Sequence, residues 1–174
     1  MPETEGAAGL RGEELETWSA LATVLEWLPA ALDASLQRDS DMTHFEYGIL
    51  FALADAPDHR LRMSKLAGFA NSSLSRLSRA VSRLERRGWV LRSPDPDDGR
   101  STLAALTESG LATYRSASPG HVQTVQRLVL DPLTRAQTRQ LHLISRRIMS
   151  AIRDEEGWRP SPSTGVDGRR QRLP

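Results

Sequence analysis

Between Ser73 and Arg87 two residue classes alternate at helical spacing. Leu74, Leu77, Val81 and Leu84 recur every three or four residues, and so do Arg76, Arg79, Arg83 and Arg87. At 100° per residue the two sets fall on opposite sides of one helix, with Ser72 one turn earlier on the cationic side. Such a helix must bury one face against a body and leave the other in water or against an anion. Ala70-Asn71-Ser72-Ser73 supplies side-chain oxygens to start it, and Gly88 follows its end. Presented from a short helix, about 64 to 69, and a tight turn, it can enter a DNA major groove. There arginines reach guanine edges or phosphates, and serines near its start serve bases and backbone. The same stripe equally suits the solvated face of an ordinary amphipathic helix, so this helix alone does not decide the function.

The charge distribution sharpens the question. The whole chain carries a net charge of +1, but residues 60–92 hold nine basic residues (Arg60, Arg62, Lys65, Arg76, Arg79, Arg83, Arg86, Arg87 and Arg92) against the single acid Glu85. That window is therefore +8 and the remainder −7. One strongly basic segment sits in an acidic molecule, as a nucleic-acid footprint requires.

The rest of the chain reads as helices with one hairpin. Leu15, Trp18, Ala22, Leu25, Leu32 and Leu36 mark an amphipathic helix over about 13–38, which Pro29 is expected to kink. Thr43 and Glu46 form a capping box for a helix over 43–55. Residues 89–92 and 101–106 are short strand candidates separated by the turn formers of 93–99, predicting a hairpin with a long tip. Thr107 caps a further helix to about Leu130, with an interruption expected near Pro119-Gly120. Thr134 and Gln137 cap the last one, on which Leu141, Ile144, Ile148 and Ile152 make an apolar stripe that one small domain need not cover. The hairpin tip can project Arg100 toward a minor groove, whose negative potential attracts arginine. Asp95, Asp97 and Asp98 would repel phosphate there, so Asp98 is expected to pair with a nearby arginine and hold it. Residues 1–11 and 154–174 read as disordered tails, the second proline-rich and carrying Arg169-Arg170-Gln171-Arg172.

Several function classes fall away. The chain of 174 residues has no cysteine, which removes disulfides, zinc–thiolate sites, iron–sulfur clusters, thiol nucleophiles and thiol redox sensing. His44-Phe45-Glu46 carries the His-x-Glu of zinc deaminases, but their Pro-Cys-x-x-Cys is impossible here. His44, His59, His121 and His142 show no metal-ligand spacing, and no phosphate-cradling glycine loop or catalytic motif occurs. No metal, no cofactor and no enzymatic activity are expected. The opening residues have neither a basic region nor an apolar run, and no segment approaches the ~18 apolar residues of a membrane span. The expected location is cytoplasmic, without a membrane partner.

At the wing the sequence resembles a known family. Asp98-Gly99-Arg100, five residues, then Leu106-Thr107 fits the wing pattern of the MarR family of bacterial transcriptional regulators. Ser64-Lys65-Leu66-Ala67, Leu74-Ser75-Arg76, Leu84-Glu85-Arg86-Arg87-Gly88-Trp89-Val90 and Pro94-Asp95-Pro96-Asp97-Asp98 match in the family's order and spacing. The resemblance runs from Thr43 to about Ile152.

It implies a mainly α fold with a small β-hairpin wing: a winged helix-turn-helix core flanked by N- and C-terminal dimerisation helices. Over residues 12–153 the DNA-binding lobe would span about 43–106 and the dimerisation helices about 13–38 and 107–153. Ser72 to Arg83 would supply the recognition helix, and Arg100 would enter the minor groove with Asp98 orienting it. The DNA-binding candidates are thus Lys65, Ser72, Ser73, Ser75, Arg76, Arg79, Arg83, Asp98 and Arg100. Leu141, Ile144, Ile148 and Ile152 would meet their counterparts in a second copy. The expected function is a homodimeric repressor on double-stranded DNA with an inverted-repeat operator. A small aromatic effector would lie between dimer helices and lobe. Trp18, Trp27, His44 and Tyr47 are candidates to line that pocket, although aromatic residues on amphipathic helices equally serve core or interface. The alternative is a structural DNA-binding protein of low sequence specificity without an effector.

Overall fold

The structure is a computed structural model that describes residues 9–155. Apart from residues 9–11 and 154–155, the two expected tails and the Arg169–Arg172 cluster lie outside the described residues. The order of elements is α1 (Gly12–Ser40), α2 (His44–Asp55), a 3-10 turn (Pro57–His59), β1 (Arg60–Arg62), α3 (Met63–Phe69), α4 (Leu74–Arg86), β2 (Val90–Asp95), β3 (Asp98–Leu106), α5 (Glu108–Val125), a π turn (Gln126–Leu130) and α6 (Arg135–Asp154). Helices dominate, with a small antiparallel sheet in the order β1-β3-β2.

Local chemistry explains most of the boundaries. Thr43 accepts from the Glu46 amide and the Glu46 carboxylate accepts from the Thr43 amide, so the capping box at α2 is complete. Thr134 and Gln137 repeat it at α6. Ser73 caps α4 through the Arg76 amide, and Thr107 caps α5 through the Gly110 amide.

Four expectations are corrected. The helix at α1 runs through Pro29 without interruption, and α5 runs through Pro119. Both prolines lie on exposed faces, where water can satisfy the freed carbonyl. Regular α geometry is lost later, in the π turn at 126–130. The hairpin tip is short: β2 and β3 extend to a two-residue turn at Pro96-Asp97. Pro94 is accommodated because β2 is an edge strand. The third strand, β1, was not foreseen, and it pairs Arg60–Arg62 with Leu103–Ala105.

The core gathers the apolar faces of α2, α3 and α4 with the sheet. Met42, Ile49, Leu50, Leu53, Leu66, Leu77, Val81, Leu84, Val90 and Ala104 are all buried within it. From α1 only the last third contributes, through Leu32 and Leu36, and from α5 Ala117 is buried. A buried hydrogen bond of 2.9 Å between the Ser35 and Thr124 hydroxyls ties α1 to α5. No residue of α6 is buried.

Candidate nucleic-acid interface

Helix α4 carries the highest contrast between its faces. Leu77, Ala80, Val81 and Leu84 point into the core, which fixes the opposite face outward. Leu74 departs from the expected pattern: it is 55% exposed. It stands in the first turn, beyond the edge of the core, and instead borders the cleft between α4 and the wing. That cleft, of about 260 Å³, is also lined by Met63, Ser64, Ser78, Arg92, Arg100, Ser101 and Thr102. A broader open depression of about 630 Å³ follows the outer face of α4 past Ser75, Ser78, Arg79, Ser82, Arg83 and Arg86.

The arginines of this region divide by what they touch. Arg87 donates to the Asp41 carbonyl and carboxylate, and its guanidinium lies 4.5 Å from the Trp89 ring centroid. Arg92 is spent on Glu85 and on the Ser78 and Ser82 hydroxyls, bracing the wing against α4. Arg76 lies over the Phe45 ring, 4.6 Å from its centroid, on the side facing α2. Arg83 donates from Nε to Glu46 at 2.7 Å. Burial by itself would raise the Glu46 carboxyl, but the Thr43 amide and the Arg83 guanidinium together hold it below its ordinary value. The pair's contribution to stability is therefore present above the ordinary carboxylate range and lost as pH falls. Arg79, Arg86, Arg100 and Lys65 have no hydrogen-bond or ion-pair partner among the described residues.

At the wing the acids behave differently from expectation. Asp98 does not grip an arginine side chain. Its carboxylate accepts from the Arg100 backbone amide at 3.2 Å and the Ser101 hydroxyl at 2.7 Å, so it shapes the backbone that carries Arg100. The acid that does pair is Asp95, buried, with Arg62 Nε at 2.5 Å. The Asp97 amide first, and the Arg62 guanidinium after it, hold the Asp95 carboxyl below its ordinary value against the effect of burial. Arg62 is thus a residue that charge counting treated only as part of a basic window. Its partner lies 33 positions away, on an adjoining strand that no local pattern announced.

The remaining candidates are placed as follows. Lys65 is exposed on α3, Ser72 is half-buried and donates to the Ser73 carbonyl, Ser73 is the α4 cap, and Ser75 is exposed. The hydroxyls of Ser72 and Ser73 therefore serve the turn itself. Leu141, Ile144, Ile148 and Ile152 form an exposed stripe on α6, and Leu15, Trp18, Leu25 and Trp27 are exposed on α1. Tyr47 is buried, bonds Ser118 at 3.1 Å and meets His121, which also stacks on His44. Burial, with His44 beside it, holds His121 below its ordinary value. Trp18, Trp27, His44 and Tyr47 line neither the cleft nor the depression beside α4. Among the described residues no group of three or more His, Cys, Asp or Glu could hold a metal, and no helix is long and apolar enough to cross a membrane.

Comparison with known proteins places this geometry. The sequence model of the MarR family matches residues 42–102. The fold is similar to that of Sco3205, a MarR family transcriptional regulator from Streptomyces coelicolor solved in complex with DNA: TM-score 0.84, 39% identity, covering 90% of this chain and 98% of that one. It is also similar to AbsC, another MarR family transcriptional regulator from that organism, with TM-score 0.81, 32% identity, and 86% and 100% of the two chains covered. A curated relative, the HTH-type transcriptional repressor YetL of Bacillus subtilis (strain 168), is 29% identical over 123 residues, 65% of this chain and 74% of YetL. The helix-turn-helix, the wing and the flanking helices all lie within these matches, and the chain belongs to the MarR family of transcriptional regulators.

Proposed function

We propose that this chain is a homodimeric, sequence-specific DNA-binding regulator that represses by occupying an inverted-repeat operator, with a small aromatic molecule as effector. The observation that carries this reading is the one-sided presentation of α4. Its apolar face is buried, while Arg79, Arg86 and Ser75 opposite, and Arg100 on the adjoining wing, stand exposed. Side chains so placed suit base edges and phosphates in a major groove, with Arg100 suited to the minor groove beside it. The DNA complex of Sco3205 supports the reading. For the dimer, support comes from α6, whose apolar stripe covers nothing within the protomer. For the effector, it comes from the α2–α5 junction, where His44 and Tyr47 meet His121.

A two-fold dimer offers two recognition helices to half-sites about 34–36 Å apart. Selection of the protein on a random duplex library at about 150 mM salt, followed by sequencing, is expected to enrich a two-fold symmetric motif. Salt-sensitive retention with no enriched motif would favour the structural, low-specificity alternative instead. The enriched duplex then serves as the probe for aromatic acids that release the protein.

Arg100→Ala is expected to weaken binding to that duplex by about tenfold, as loss of one charge-assisted contact does, and to leave the oligomeric state unchanged. Anisotropy titration and light scattering on one preparation check both halves. A change of oligomeric state would place the wing in the subunit interface.

A further inference from the structure

We propose that Glu46 is a positioning residue for DNA binding: it grips Arg83 by Nε so that the two terminal amines of the guanidinium face a phosphate. The inference rests on the DNA-binding reading above and adds to it a residue of α2 that itself touches no nucleic acid.

The two oxygens of Glu46 have separate tasks. Oε2 accepts from the Thr43 amide at 3.0 Å and closes the α2 cap, and Oε1 accepts from Arg83 Nε at 2.7 Å. Because the first oxygen is fixed to the backbone, the carboxylate cannot follow a moving arginine, and the arginine must come to it. Glu46 is 5% exposed, out of reach of a phosphate, whereas the Arg83 side chain keeps 47% of its exposure. The mode of attachment also matters. Arg87 and Arg92 spend their terminal amines on Asp41, Ser78 and Ser82. Arg83 is held through Nε, and neither of its terminal amines has a hydrogen-bond partner among the described residues. Those amines open on the depression shared with Arg79 and Arg86. A free arginine loses close to 2 kcal/mol of rotamer freedom when a ligand orders it. An arginine already anchored at Nε has lost much of that freedom before DNA arrives, and its planar fork suits a phosphate.

Charge counting and positioning predict opposite signs. If Glu46 acts only through its charge, removing that charge relieves repulsion of the phosphates and binding tightens. If it positions Arg83, binding weakens. Glu46→Gln is the suitable change, because glutamine at this position of a capping box still accepts from the cap amide. The enriched duplex is titrated over a salt series with wild type, E46Q, R83A and the double variant, and the melting temperature of each is recorded.

The expected result is that E46Q, still folded, binds about tenfold more weakly at 150 mM salt. The slope of log K against log salt should fall by about 0.9, as for R83A. The double variant should bind no more weakly than R83A alone. Equal or tighter binding by E46Q, or an effect that adds to that of R83A, overturns the proposal. If E46Q loses its fold, Arg83→Lys takes its place. Lysine keeps the charge but not the fork, so equal affinity of R83K and wild type also overturns the proposal. Wild type that binds no duplex in a salt-dependent way would instead overturn the DNA-binding reading itself.

Discussion

Ile148→Glu is expected to convert a dimer into monomers whose DNA-binding lobe remains folded. Ile148 lies midway along the α6 stripe with Leu141, Ile144 and Ile152, and all four are exposed in the protomer. On a lone chain a glutamate there would cost within about 0.5 kcal/mol, as most surface changes do. In a two-fold interface the same change appears twice, once from each copy, and buries two unpaired carboxylates. At about 3–5 kcal/mol for each uncompensated charge, the dissociation constant should rise by more than about a thousandfold. Light scattering at micromolar concentration then reads the monomer mass. The lobe should survive because its core, built from residues such as Leu50, Leu66, Leu77 and Leu84, lies inside one protomer. Retained far-ultraviolet dichroism therefore separates dissociation from unfolding. Affinity for a symmetric duplex should fall toward that for a single half-site, since the second contact is no longer tethered to the first. A stable I148E dimer would move the interface away from α6.

What could be read in the sequence is what short-range rules govern. The starts of α2 and α6 follow from Thr43 with Glu46 and from Thr134 with Gln137, pairs three residues apart whose geometry needs no tertiary information. The buried face of α4 follows from its period, except at Leu74, where the period continues but the core does not. What could not be read depends on distant partners. Arg76, Arg83 and Arg87 form one stripe on a helical wheel, yet the acids that engage Arg83 and Arg87 lie 37 and 46 positions upstream, on α2 and at the end of α1. Asp95, Asp97 and Asp98 look alike in sequence; one binds Arg62, and another shapes the turn below Arg100. The strand at Arg60–Arg62 is three residues long and exists only because β3 offers a free edge. A proline inside β2 suggested a loop, since nothing local reveals that the strand lies at the sheet's edge.

Two glycine-to-alanine changes should move stability in opposite directions, and the reason for the difference is the junction between lobe and α5. Thr107 caps α5 through the Gly110 amide, donates its hydroxyl to the Gly88 carbonyl at 2.7 Å and its own amide to the Trp89 carbonyl at 3.0 Å. These bonds draw the first turn of α5 onto the backbone at Gly88-Trp89. A Cβ on residue 110 would run into the Trp89 carbonyl oxygen, with the Leu106 side chain 2.9 Å away. A backbone carbonyl cannot rotate aside as a side chain can, so α5 must shift or the caps must break. Gly48, in α2, has nothing within 4 Å of the corresponding position. Gly48→Ala should therefore stabilise by about 0.5–1 kcal/mol, the helix-propensity gain alone. Gly110→Ala gains the same propensity but loses about 3 kcal/mol or more to the clash, for a net loss near 2 kcal/mol and a melting temperature lower by about 4–8 °C. Thermal unfolding of the two variants beside wild type checks the pair. Because α5 joins the lobe to the helices proposed to form the dimer, G110A should also weaken binding to a symmetric duplex more than to a half-site. If G110A melts at or above wild type, the contact between α5 and Trp89 is looser than described, and the capping network at Thr107 does not set where α5 begins.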